Sequence, residues 1–197
     1  MTEAEKQYID LYTEASEAIK EHSAEVMNAV RDRAFEDFHR QGFPTRKVER
    51  YKYTDMEKIF APNYGLNINR IEFPVDPYAA FRCDVPNLST LLYFVVNDAF
   101  YTKRLPNVHP EEGVVIGSLR KAAEEHPELI ARYYARIAKT EEDAITALNT
   151  MLAQDGLFVY VPKNVQMEKC VQIINILRAD VSMMVNRRVL IVMEEGA

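Results

Sequence analysis

Over the first forty residues, apolar positions recur at near-multiples of 3.6: Tyr8, Leu11, Ala15, Ile19, Val26, Val30 and Phe38, with Glu, Lys and Arg between them. That period predicts amphipathic helix. Thr2 and Glu5 stand at the spacing of a capping box, and Gly42 with Pro44 beyond it closes the segment. An unbroken helix of this length would reach roughly 55–60 Å at 1.5 Å per residue, so a break or bend is expected near His22-Ser23. The stripe is thin and rich in alanine. It predicts packing against a partner helix or subunit more than burial in a broad core.

Downstream, Thr54-Asp55-Met56-Glu57 reads as a second capping box, starting a short helix through Phe60. From Asn67 to Val96 the punctuation changes to Pro74, Pro77, Pro86 and Asn87 between short β-rich pieces. The most strand-like is Leu91 to Val96, with Asn97-Asp98 as the turn after it. Gly113 to Gly117 reads as another buried strand, and Ser118 can cap a short helix through Glu125. Pro127 opens a helix whose face is Leu129, Ile130, Tyr133, Tyr134 and Ile137. A third box, Thr140 to Asp143, starts the next, with Ile145, Leu148, Met151 and Leu152 inward and Asp155-Gly156 ending it.

The period then shortens to that of strands: Leu157 to Val161, Val171 to Leu177, and Val189 to Met193. Their starts lie too close for helices between them. An antiparallel meander and the successive faces of a β-helix both fit, and periodicity does not choose. The class is α+β, with helix exceeding strand. Residues 1–150 make a helical region with a small sheet, and residues 151–197 a strand-rich continuation.

At 197 residues, 48% hydrophobic and 27% charged, the chain has the make-up of an ordinary soluble domain. A formal charge of −6 gives no global field toward phosphate backbones or anionic lipid, so nucleic acid is not an expected partner. No signal or transit peptide is expected at the acidic N-terminus. The longest wholly apolar run, Leu91 to Val96, falls far short of the roughly 20 residues that cross a bilayer. Two cysteines far apart, Cys83 and Cys170, make no disulfide framework, which suits a reducing, cytoplasmic location.

Candidate chemistry is sparse. His22, His39, His109 and His126 are scattered, with no pair at the spacing that places two imidazoles on one helix face, so they read as solvated or capping groups. Cys83 follows Arg82, which could lower its thiol pKa, yet a lone buried cysteine is mostly packing. There is no phosphate loop, GxSxG or HExxH, and no catalytic, cofactor-binding or metal residue is assigned. Arg46, Lys47, Arg50, Lys52 and Lys58, with Tyr51 and Tyr53, form a basic-aromatic stretch. This Arg46–Lys58 stretch carries the alternative reading, a nucleic-acid or small-molecule binding module, although Glu49, Asp55 and Glu57 dilute its charge. Residue chemistry alone points to a scaffold or interaction protein, not an enzyme. Val189 to Met193, with Arg187-Arg188 before it and Glu194-Glu195 after it, suits antiparallel pairing with a second copy. Leu11, Ile19, Val26 and Val30 offer a second adhesive face, so a homodimer is expected through one of the two.

Three stretches carry a resemblance. Arg50-Tyr51-Lys52-Tyr53-Thr54-Asp55-Met56 is similar to a segment near the start of SufD members of the SufB/SufD family, and Ala147 to Val165 to the segment leading into that family's core. Between them, Phe94 to Phe100 resembles the family's "vvNG.f" piece, with Asp98 in place of glycine. The resemblance covers nearly the whole chain in order. It implies a non-ATPase scaffold subunit of the Suf complex of iron-sulfur cluster biogenesis, with SufB and the ATPase SufC as partners. It also implies an N-terminal helical region followed by a right-handed parallel β-helix, of which this chain would hold the first strands as an N-terminal fragment. The cluster would be handled by the full complex, with no cofactor in this chain. The family's interface cysteine and histidine positions and its SufC-docking helices would lie beyond Ala197. Where the family commonly has proline, this chain has Cys170, leaving the turn before a strand freer. A single thiol there is weak support for a cluster ligand.

Overall fold

A computed structural model describes residues 1–72, 74–81, 90–104 and 110–197. Cys83, His109, Pro86 and Asn87 lie outside the described residues, so the readings placed on them are not addressed by it. The N-terminal stretch folds as three helices: α1 (Glu3–Glu21), α2 (Glu25–Asn28) and α3 (Arg31–Gln41). The break falls at His22–Ala24, as the length argument expects. Thr2 Oγ1 accepts from Glu5 N at 3.3 Å, and Glu5 Oε2 accepts from Thr2 N at 2.6 Å, which closes the first capping box. The other oxygen of Glu5 accepts from Phe43 N at 2.9 Å. Gly42 ends α3 at φ +62°, where a Cβ would collide with the Glu5 carboxylate, so this position needs glycine on two counts.

The thin stripe of α1 does not await a partner subunit. Tyr8, Tyr12 and Ile19 are buried in this chain's own core against α3 and α8 (Ala144–Leu152), with Leu11 half-buried beside them. The reason is aromatic bulk outside the helix. Phe43 and Phe60 stack at 4.9 Å, and Tyr8 meets both edge-on at 5.9 and 5.7 Å, so a few large rings widen a narrow stripe into a core. Val26 and Val30 pack into a second cluster with α6 (Leu119–Glu125), α7 (Pro127–Tyr133) and the strand residues Phe158, Leu190 and Val192. The second adhesive face is therefore internal.

Two capping boxes are displaced by one aspartate each. The short helix α4 (Met56–Phe60) is capped by Asp55, whose Oδ1 accepts from Lys58 N at 3.1 Å, and not by Thr54. Helix α8 is capped by Asp143 accepting from Thr146 N at 2.8 Å, while the Thr140 hydroxyl donates to buried Asp37 at 2.6 Å. Ser118 and Pro127 start α6 and α7 as expected. Helix α7 is shorter than its pattern: Tyr134 is already extended, Ala135 has φ +55°, and Ile137 is exposed, not inward. The small helix α5 (Pro77–Ala80) has proline in its first turn.

The strands form two three-stranded mixed sheets among the described residues. In one, β1 (Thr90–Val96) turns through Asn97-Asp98 into β2 (Ala99–Phe100), and its other edge pairs in parallel with β5 (Cys170–Ile176). In the other, β4 (Asp155–Val161) lies between antiparallel β3 (Val115–Ser118) and parallel β6 (Arg187–Met193). The three terminal runs are thus no antiparallel meander. The chain leaves β4 for the facing sheet and returns beside β4. Asp155-Gly156, expected to end α8, instead begins β4, since α8 closes at Leu152. Helix outweighs strand, and the fold is α+β.

Candidate interaction surface

Between the sheets lies one apolar layer: Leu91, Tyr93 and Val95 of β1 against Leu157, Val159 and Val161 of β4. Side chains alternate across a strand, and in-register parallel neighbours share a face. The pairs Leu157↔Val189, Val159↔Ile191 and Val161↔Met193 therefore put Val189, Ile191 and Met193 on the same inner face. Yet these three are 56%, 57% and 61% exposed, while Leu190 and Val192 on the opposite face are buried. The layer is half built at β6. Among the described residues, β5 pairs with β1 alone and β6 with β4 alone. Three exposed apolar side chains on a strand that has one neighbour among the described residues make this the chain's most apolar candidate interaction surface.

The starts of β4 and β6 are held by charge. Arg70 Nη1 lies 2.5 Å from Asp98 Oδ2, off the line of its N–H bonds, and Nη2 lies 3.5 Å from Asp155 Oδ2. Asp155 Oδ1 accepts from Ser118 Oγ at 2.8 Å and Arg120 N at 3.0 Å. Arg187 Nη1 donates to Asn97 O at 2.8 Å, tying β6 to the β1–β2 hairpin. The segment ahead of Arg70 is strapped to the β5–β6 connection, where Gly65 N donates to Ser182 O at 3.1 Å and Met184 N to Gly65 O at 2.9 Å. Sequence reasoning missed this cluster. Its one signal was Asp98 in place of a family glycine, a carboxylate newly placed where a cation must answer it.

Burial raises the Asp98 carboxyl above the ordinary aspartate range, and Arg70 offsets only part of that. The native state therefore holds this proton at pH values where the unfolded chain has released it. Its linkage contribution is greatest near and below about pH 4 and declines as pH rises through the raised native pKa. A conventional ion pair would do the opposite. Urea unfolding of wild type and Asp98→Asn across this range is expected to show the stability difference, wild type minus variant, shrinking as pH rises. A difference that grows with pH would contradict the burial-dominated account.

The basic-aromatic stretch is largely occupied within the chain. Arg46 pairs with Asp55 at 3.2 Å, Arg50 with Asp143 at 3.0 Å and Lys52 with Glu49 at 2.7 Å. Tyr51 donates to Asp143 at 2.6 Å, and burial together with that carboxylate pushes its pKa up to about 12. Of the remaining cations, Lys47 and Lys58 have no ion-pair partner among the described residues. Two separated lysines make no stripe for a phosphate backbone. Cys170 opens β5 as an exposed thiol beside Thr90. His39 stacks on Phe35 at 6.2 Å, and His22 and His126 sit at helix ends. Tyr134 is core, with the Arg188 guanidinium 5.7 Å from its ring centre. Among the described residues, no three of His, Cys, Asp and Glu converge to hold a metal ion, and no helix is long and apolar enough to cross a membrane.

Comparison with known proteins points the same way as the quoted motifs. A family model described as the SufBD protein N-terminal region matches residues 2–173. The iron-sulfur cluster assembly protein SufD of Bacillus subtilis is 30% identical over 150 residues, covering 76% of this chain and 33% of that protein. An iron-sulfur cluster assembly SufBD family protein of Synechocystis is 38% identical over 56 residues, 28% of this chain and 12% of its own length. One of Arabidopsis thaliana is 36% identical over 75 residues, 36% and 16%. The matched part of the chain thus spans a third or less of these relatives. With a match that runs through both the helical region and the strands as far as β5, the chain belongs to the SufB/SufD family.

Proposed function

We propose that this chain acts in iron-sulfur cluster assembly as a non-catalytic scaffold, with SufB and SufC as its partners. The observation that carries this reading is the family match over residues 2–173. The strand topology supports it: β4, β5 and β6 follow one another from sheet to sheet and back, with β6 stacked in parallel on β4. We read this as the first coil of a right-handed parallel β-helix, with residues 1–150 as its helical N-terminal region and 151–197 as its start. The role assigned to the chain is to position partners, with the cluster as cargo of the complex. Among the described residues Cys170 is one exposed thiol with no second beside it, and soft-metal sites usually draw on several thiolates.

The test is genetic and uses the coding region as it stands. Its disruption is expected to lower the activity of cluster-dependent dehydratases in extracts, with their polypeptide levels unchanged, and tagged chain is expected to co-purify with SufB or SufC. Unchanged dehydratase activity would overturn the reading. So would tight, steeply salt-dependent binding of single-stranded nucleic acid that is lost on Lys47→Ala with Lys58→Ala, which would return the function to the Arg46–Lys58 stretch.

A further inference from the structure

The helix period puts Ile137 on the inward face of α7, yet the chain leaves the helix at Tyr134 and Ile137 stands 79% exposed, more than any other isoleucine, leucine or valine among the described residues. Beside it opens a groove of about 840 Å³ between two helical walls. One wall runs from Glu25 through Ala29 to Arg33, across α2 and the start of α3. The other runs from Glu124, in the last turn of α6, through Pro127 and Ala131 of α7 to Arg136. Ala29, Pro127 and Ala131 are open to solvent. No residue of β4, β5 or β6 lines the groove, so it owes nothing to the strand edges.

Both walls run from acid to base. Glu25 opens α2, which packs against α6, so Glu25 and Glu124 share one end of the groove. At the other end Arg33 lies 3.5 Å from Glu141, on the same segment as Arg136 and Lys139. Arg120 answers Glu124, Glu141 answers Arg33, and Glu142 answers Lys139. Glu25 and Arg136 are left with no ion-pair partner among the described residues. We propose that this groove is the interface between two copies of this chain, packed face to face about a two-fold axis that crosses the groove at its middle. That operation lays the acidic end of each groove on the basic end of the other, so Glu25 of each copy meets Arg136 of the second. It also seats each exposed Ile137 against Ala29 and Pro127 of the other copy. The contact is isologous and closes as a dimer. Rim charges of this kind fix orientation more than affinity, so the apolar contact carries the association and the charges set its direction. The inference rests on the groove alone and not on the role in cluster assembly, so either can fail without the other.

Sedimentation equilibrium on the full chain is expected to show a mass climbing from 22.7 kDa toward twice that value between low and high micromolar concentration. Ile137→Asp, at an exposed position, should hold the mass at the monomer value with an unchanged circular dichroism spectrum, while Ile191→Lys on β6 should leave the association as it is. The direction of packing is tested by charge reversal. Arg136→Glu sets glutamate against Glu25 of the second copy, and Glu25→Lys sets lysine against its Arg136, so each variant alone should stay monomeric. An equimolar mixture of the two restores opposite charge at both ends and should return the doubled mass. A mass fixed at 22.7 kDa throughout, an association untouched by Ile137→Asp, one abolished by Ile191→Lys, or a mixture of the charge-reversed chains that stays monomeric would overturn the proposal.

Discussion

Replacing Arg31 with methionine is expected to destabilise the fold by about 3 kcal/mol, read as a fall in the urea midpoint with little change in slope. Arg31 is the first residue of α3 and is fully buried. A cation at a helix N-terminus is electrostatically misplaced, so its reason for being there lies elsewhere. Nη1 donates to Thr150 O at 3.3 Å and Met151 O at 3.0 Å, two carbonyls in the last turn of α8 that have no intrahelical partner. Nε donates to Asn28 Oδ1 at 2.8 Å and Nη2 to Ser23 Oγ at 2.6 Å, which fastens the α1–α2 turn to the same point. Burial lowers the pKa of the guanidinium from its usual very high value, the sign expected for a cation taken out of water.

Methionine of similar length fills the space but leaves two buried carbonyls unanswered, each at about 1–3 kcal/mol. The desolvation no longer spent on a guanidinium pulls the loss below their sum. Arg31→Lys separates charge from geometry. Its ammonium supplies the charge but cannot span four acceptors in a planar fork, so it should recover less than half of the loss. Full recovery by lysine would mean that charge at the α8 terminus, and not the shape of the fork, is what the site requires.

Elements written in neighbouring residues were legible: the capping box at Thr2, the break after Glu21, Ser118 before α6, the Asn97-Asp98 hairpin and all three terminal strands. Each depends on residues a few positions apart. What failed depends on contacts across the chain. Thr140 has the right spacing for a cap, yet its hydroxyl is held by Asp37 across the core, and Asp143 takes the helix. The α1 stripe looked too thin for a core because Phe43 and Phe60, which complete it, lie outside the helix. Nothing in the residues beside Arg31 marks it as buried; its acceptors on α8 lie some 120 positions away in the chain. β5 pairs with β1 across three helices and three strands of intervening chain, and no local period encodes that. The candidate surface was half visible, as the apolar run Val189 to Met193. Which of its side chains stand exposed required the register with β4.

Gly156→Ala is expected to cost about 3 kcal/mol and to release β6 from β4, while Gly117→Ala changes stability by well under 1 kcal/mol. Both glycines sit in strands of the same sheet and neither has positive φ, so backbone conformation does not distinguish them. Their surroundings do. Around Gly117 nothing lies within 4 Å of where a Cβ would stand. At Gly156 the Cβ would overlap the carbonyl of Arg188, its register partner on β6, and would come within 2.9 Å of that residue's nitrogen. Backbone on a paired strand cannot rotate away as a side chain can, so relief requires β4 and β6 to part at their first rungs. Those rungs carry the contacts that seat β6, including Asn149 Nδ2 to Arg187 O at 3.3 Å and Arg188 to Thr150. Hydrogen exchange should therefore show β6 amides losing protection in Gly156→Ala while those of α1 and α3 keep theirs. Uniform loss across all elements would show that β6 docking and the helical core unfold as one unit, and unchanged exchange in β6 would contradict the close approach itself.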